Sequence, residues 1–210
     1  MGDETYRTAG REGTDEFTER RSRFIGAIRP VETEDEALAF IHEKKKQHWD
    51  AAHNVYAYRL RDGQIQRYSD DGEPQGTAGV PVLDVLQKAG LTDCAVVVTR
   101  YFGGVLLGAG GLVRAYSHAA SIAVQAGCPV EMRPCAVAEV TAGYAQHSLL
   151  ERLIPACGGI IDDTTYTDHV TVRFHMEETL LAAFEAQLTE ASAGQLTATL
   201  ISHTFAAYPL

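Results

Sequence analysis

Asp70, Asp71 and Glu73 lie within four residues of one another, and Arg100 and Arg114 flank a run of glycines at 103, 104, 108, 110 and 111. Carboxylates so close can hold a divalent cation or position a substrate, and guanidinium groups beside free backbone N–H groups can hold an oxyanion or phosphate. Residues 70–114 contain nearly half of the chain's 19 glycines. Glycine is costly to order and permits positive φ or close backbone approach, so backbone here is built around a ligand or against another piece of the same protein. The candidate ligand-binding set is Asp70, Asp71, Gly72, Glu73, Arg100, Tyr101, Phe102, Gly103, Gly104, Gly108, Gly110, Gly111 and Arg114. The plain alternative is that the glycines admit close packing and the acids are turn and cap residues; Asp-Asp-Gly is common in turns, so no metal site is assigned.

Known patterns narrow the chemistry. Gly103 and Gly108 have the first spacing of a P-loop, but Ala109-Gly110 stands where Lys-Ser/Thr is needed. A dinucleotide fingerprint beginning at Gly108 fails at Val113. His42-Glu43 opens like a zincin motif, yet Lys46 replaces the second histidine. Ser117 and His118 are adjacent on an expected helix and point apart, which is wrong for a nucleophile and its base. His53 has no nameable acid/base partner. Cys94, Cys128, Cys135 and Cys157 are scattered without zinc or disulfide spacing and read as small buried hydrophobes. No catalytic residue, metal or cofactor is assigned.

The 210 residues carry a formal net charge of −10 with 45% hydrophobic content, ordinary for a globular protein. The acid excess is uneven: residues 135–210 hold two Lys/Arg against nine Asp/Glu, while residues 20–67 are mildly basic. The C-terminal third is therefore a poor nucleic-acid surface. Apolar runs are too short to span a bilayer and the N-terminus lacks signal-peptide features, so a cytoplasmic protein is expected.

The elements that must position these residues follow from pattern. Residues 1–16 read as a polar tail, with the fold beginning near Phe17. Phe24 to Arg29 reads as a strand, and Thr33 with Glu36 caps a helix to about His48 with Leu38, Ile41 and Lys45 on one face. Asn54 to Leu60 and Gln64 to Tyr68 form a hairpin with a type I′ turn at Asp62-Gly63. A helix runs from Pro81 to Ala89 and stops at Gly90; Cys94 to Thr99 suits a strand buried on both faces; a second helix runs from Leu112 to Gln125. Pro129 and Pro134 bracket a boundary. Beyond it Ala136–Thr141, Gln146–Ile154, Ile160–Tyr166, Val170–His175, Glu177–Ala191 and Leu196–Phe205 read as βαββαβ, the ferredoxin-like order. The expected architecture is two α+β domains, residues 17–134 and 135–210.

Ser69-Asp70-Asp71-Gly72-Glu73-Pro74, Gly76-Thr77-Ala78-Gly79, Thr99-Arg100-Tyr101-Phe102-Gly103-Gly104 and Leu107-Gly108-Ala109-Gly110-Gly111-Leu112-Val113-Arg114-Ala115-Tyr116 resemble the Impact family, in particular its bacterial YigZ-like branch. Ser22-Arg23-Phe24 and Ala52-His53-Asn54 add to the match, which covers about residues 17–128. The resemblance implies a ribosomal-protein-like α+β first domain with a left-handed βαβ crossover, as in GHMP kinases and translational GTPases. It also implies a ferredoxin-like second domain similar to the last domain of elongation factor G. Eukaryotic Impact regulates translation through an extra N-terminal domain and a kinase pathway that do not transfer to this chain. At Arg20-Arg21 arginines stand where the family usually has lysines, which keeps the charge and changes the hydrogen-bond geometry.

The reading is a non-enzymatic regulator that binds RNA, a ribosomal component or a translation factor through its first domain, with Arg100, Arg114, Tyr101 and Phe102 as the contact surface. The alternative is a nucleotide- or phosphate-binding enzyme that uses the glycine-rich loop with Asp70, Asp71 or Glu73. A third is a protein–protein adaptor.

Overall fold

Residues 94–100 are buried without interruption, and the computed structural model, which describes residues 5–210, places them in the middle of a sheet covered on both faces. Strands β1 (Tyr6–Ala9), β2 (Gly13–Glu19), β3 (Ser22–Pro30), β4 (His53–Arg59), β5 (Gln66–Ser69) and β6 (Cys94–Tyr101) alternate with helices α1 (Glu34–Gln47), α2 (Gly79–Lys88) and α3 (Ala109–Ala126). The sheet order is β2-β3-β6-β4-β5, antiparallel at each pairing. Because strand side chains alternate, Val96 and Val98 join Phe24, Val55, Leu86, Tyr116 and Ala119 in one core, while Ala95 and Val97 join Ala37, Phe40 and Ile41 in another. Helices on both faces explain the continuous apolar run.

Local signals hold at several ends. Thr33 accepts the Glu36 N–H at 3.2 Å, and the Glu36 carboxylate reaches back to the Glu32 N–H at 2.7 Å. The α2 terminus closes with Gly90 N–H donating to Gln87 and Leu91 N–H to Leu86, both at 3.0 Å, and buried Leu91 follows.

Other expectations are corrected. Residues 13–16 are no tail: β2 pairs with β3 from Gly13 opposite Ile28. Gly13 permits this because a Cβ there would sit 2.3 Å from the Ala126 carbonyl carbon; residues 1–4 lie outside the described region. On α1 the buried face is Ala37, Phe40, Ile41 and Lys44, leaving Leu38 exposed. The Lys44 stem packs by Phe40 and its Nζ reaches Glu12 at 3.0 Å, so an amphipathic lysine takes a position that polarity alone assigns to solvent. The β4–β5 connection is longer than a two-residue turn, spanning a 3₁₀ turn at Asp62–Gln64 with positive φ at Gly63 and Gln64. Helix α3 begins at Ala109, three residues early, so Gly110 and Gly111 fall in its first turn.

A second compact unit covers residues 132–207. Its elements are β7 (Pro129–Ala142, whose first residues belong to the first unit), α4 (His147–Ala156), β8 (Ile160–Tyr166), β9 (Val170–Glu177), α5 (Glu178–Ala191) and β10 (Thr199–Pro209). Strand β7 runs through Pro134, which precedes the stretch paired with β9 from Cys135 onward. The order β10-β7-β9-β8 with βαββαβ connections is ferredoxin-like. Ala138, Val140, Val172, Phe174 and Met176 pack against Leu150, Ile154, Phe184 and Leu188. The chain is thus a mixed α+β protein of two domains.

Candidate functional site

Strand register brings distant motifs to one end of the first sheet. Arg23 opposes Tyr101, His53 opposes Arg100 and Tyr56 opposes Ser69, so β3 and β4 start where β5 and β6 finish. The β2–β3 turn at Arg20-Arg21, the α1–β4 loop, the Asp70–Ala78 loop and the Phe102–Gly108 loop therefore meet at this end.

The charged motif residues turn inward. Glu73 accepts from Arg100 Nη1 at 2.6 Å and from the Tyr116 hydroxyl at 2.7 Å, with the paired side chains only 4–5% exposed. Arg100 Nη2 lies 3.4 Å from Ser22 Oγ, which also receives the Gly103 N–H at 3.2 Å, and Arg100 Nε is buried without a partner. Burial, then the hydrogen bond to Glu73, push the Tyr116 hydroxyl above its usual pKa, so it stays a donor. The Asp70 carboxylate accepts N–H bonds from Gly76, Ala78 and Gly79 at 2.8–3.2 Å, closing its loop onto the start of α2. Asp71 accepts from Lys45 Nζ at 2.7 Å and from the Asn54 N–H at 2.6 Å, while its carbonyl takes a bond from His53 Nδ1 at 2.8 Å. That donation leaves His53 Nε2 3.8 Å from Glu73. Expected on a contact surface, Arg100 instead lies beneath it, in a polar network that joins β3, β4, β6, α3 and the acidic loop.

The glycines divide similarly. A Cβ on Gly103 would come within 2.1 Å of the Arg21 backbone, so this glycine lets the loop cross directly over the β2–β3 turn. Gly72, Gly104, Gly108 and Gly110 are exposed, whereas Gly111 in the first turn of α3 is half-buried. Gly108 precedes α3 with no side chain to cap its first N–H groups.

What faces outward includes aromatic and cationic groups, with Glu19 and Asp50 among them. Trp49 is 82% exposed and Phe102 50%, although tryptophan is usually well covered. The Tyr101 hydroxyl donates to Asp50 at 3.1 Å and lies 3.0 Å from His48 Nδ1, which must supply the proton of that second contact. Burial, then the Lys44 and Arg23 charges, hold His48 below the usual imidazole pKa. Arg20, Arg21 and Arg114 are exposed, and Leu106 projects beside them at 81% exposure. Arg20 and Arg21 have φ of 45° and 69°, left-handed values that suit Asn-Gly and disfavour arginine. A cavity of about 270 Å³ lies between β2 and α3, lined by residues including Phe17, Arg20, Leu107, Arg114 and His118.

Sequence reasoning singles out Arg114 and Phe102 but not Trp49, the Arg20-Arg21 turn or His118 as surface groups. The signals are present in the chain: the sole tryptophan follows a polar helix end, and two residues separate two alternating segments at Arg20-Arg21.

The profile of the Impact N-terminal domain matches residues 20–124, and that of a domain of unknown function, DUF1949, matches residues 140–195. The chain is 40% identical over 192 residues to the IMPACT family member YvyE of Bacillus subtilis, covering 91% of this chain and 88% of that protein. It is 34% identical over 180 residues to the IMPACT family member YigZ of Escherichia coli, covering 84% of this chain and 88% of that protein. Protein IMPACT of Rattus norvegicus is 37% identical over 97 residues, 44% of this chain and 30% of that protein. A crystal structure described as that of a hypothetical protein aligns with a TM-score of 0.60 at 32% identity, over 95% of this chain and 98% of that one.

Proposed function

The chain belongs to the IMPACT family, and from that premise we propose that it is a cytoplasmic, non-enzymatic regulator of translation that docks on RNA through the loop-bearing end of its first domain. The observation that carries the reading is the joint exposure of Arg20, Arg21, Arg114, Trp49 and Phe102 at that end, in a chain whose net charge is −10. Guanidinium groups neutralise phosphates, and exposed rings stack on unpaired bases. A regulatory role rather than catalysis is supported by the carboxylates of Asp70, Asp71 and Glu73, which are engaged in holding the fold.

Fluorescence anisotropy with single-stranded RNA at several salt concentrations tests this. Substituting Gln at Arg20, Arg21 and Arg114 should weaken binding and reduce the slope of log affinity against log salt by about 0.7 for each phosphate that is no longer neutralised. Trp49→Ala should cost about 1–3 kcal/mol with little change in slope. Absence of affinity at low salt, or a triple variant that binds as wild type does, would overturn the RNA reading. In that case, co-purification with a ribosomal protein or translation factor would identify a protein partner instead.

A further inference from the structure

We infer that the cavity between β2 and α3 is a binding site for a phosphate monoester, the group carried by a free nucleotide or by the 5′ end of an RNA. The inference deepens the reading above and rests on it only for its RNA form; a mononucleotide would occupy the site whether or not the protein binds longer RNA.

Three cationic or protonatable groups line this one concavity. Arg20 comes from the β2–β3 turn, and Arg114 and His118 lie one helical turn apart on α3. Glu19 is the sole acid in the lining; its carboxylate is 4.0 Å from Arg20, with both side chains at least half exposed. An ion pair that long and that exposed does little to neutralise the arginine. Arg114 has no ion-pair partner among the described residues, although acids outnumber bases 28 to 18 in the chain. With two guanidinium groups against one carboxylate the lining carries a net positive charge, and a dianion matches two guanidinium groups better than a monoanion does.

The walls suit the rest of an ester. Phe17 stacks on Phe24 with ring centroids 5.3 Å apart and meets the His118 ring edge-on at 4.5 Å, which fixes the imidazole at the rim. Leu107 and Ala115 add apolar surface, and low-dielectric walls strengthen the field of the arginines. The cavity of about 270 Å³ is several times the ~30 Å³ share of one water molecule and just below the range of drug-sized sites. It accommodates a phosphate and the first ring attached to it.

The test uses the full chain with five probes: inorganic phosphate, 5′-AMP, adenosine, and a short RNA in a 5′-phosphate and a 5′-hydroxyl form. Calorimetry should show 5′-AMP binding and adenosine not binding, with amide shifts in NMR spectra at Gly111, Arg114 and His118. Arg20→Gln and Arg114→Gln should each weaken 5′-AMP by about tenfold or more, in line with the loss of a charge-assisted hydrogen bond. Glu19→Gln should tighten it, a gain that a merely structural role would not produce. Arg11→Gln, before the opposite end of β2, should change nothing. Preference for the 5′-phosphorylated RNA over 5′-AMP would make an RNA end the source, and equal affinity would make it a free nucleotide. Equal binding of adenosine and 5′-AMP, no binding of any phosphate probe, or indifference to both arginine substitutions in folded protein would overturn the site. Loss of the mononucleotide result with RNA binding intact would remove this pocket alone; the converse would remove the RNA reading alone.

Discussion

Glu73 and Arg100 show how a single pair can read as a binding site in sequence and act as a keystone in the fold. Their side chains are almost fully buried and share one carboxylate oxygen with Tyr116. Removing one member of a buried pair leaves an uncompensated charge, which typically costs about 3–5 kcal/mol. Glu73→Gln is therefore expected to destabilise the first domain by roughly that amount in urea denaturation. Combining Glu73→Leu with Arg100→Met should cost clearly less than the two single changes added together, because neither charge is then stranded. Strict additivity would show that the pair is uncoupled. The same argument makes Arg100→Ala a poor probe of RNA contact, since weaker binding would report unfolding.

At the scale of elements, the β2–β3 hairpin places two of the proposed contact residues in its turn. Arg20 and Arg21 are held at positive φ, where a side chain other than that of glycine, asparagine or aspartate is disfavoured by about 1 kcal/mol or more. Replacing them with Asn-Gly is expected to raise the unfolding free energy by about 1 kcal/mol while weakening RNA and 5′-AMP binding, a trade of stability against function. Thermal melts and anisotropy on the one variant measure both. A variant with lower stability would mean that the arginine side chains support the hairpin rather than strain it.

At the scale of the whole molecule, the chain has separate cores and an uneven charge. The core of Phe174, Phe184, Leu150 and Ile154 shares no residue with the cores around β6. Residues 135–210 carry nine acids against two bases, whereas the exposed arginines described above lie in the first domain. Phe174→Ala should destabilise the second unit by about 3–5 kcal/mol. Hydrogen exchange should locate the reduced protection mainly in residues 132–207, and RNA affinity measured where the first domain remains folded should stay within about twofold of wild type. A larger drop in affinity would assign part of the interface to the ferredoxin-like domain.

The sequence by itself did not determine β1 or β2, but it determined the order of elements from β3 onward, the two α+β domains and the family. These depend on local periodicity, caps and turn residues and on long distinctive motifs, all readable along the chain. Thr33, Gly90 and the apolar run at 94–99 each report a condition met within a few residues. Tertiary structure alone decided which charges are free. Arg100 and Arg114 look alike in sequence, but β3 and the acidic loop enclose the first, while α3 carries the second to the surface. Likewise the Arg20 turn and His118, almost a hundred residues apart, line one cavity because β2 packs beside α3. Burial and convergence are properties of contacts between distant segments, and no local pattern encodes them.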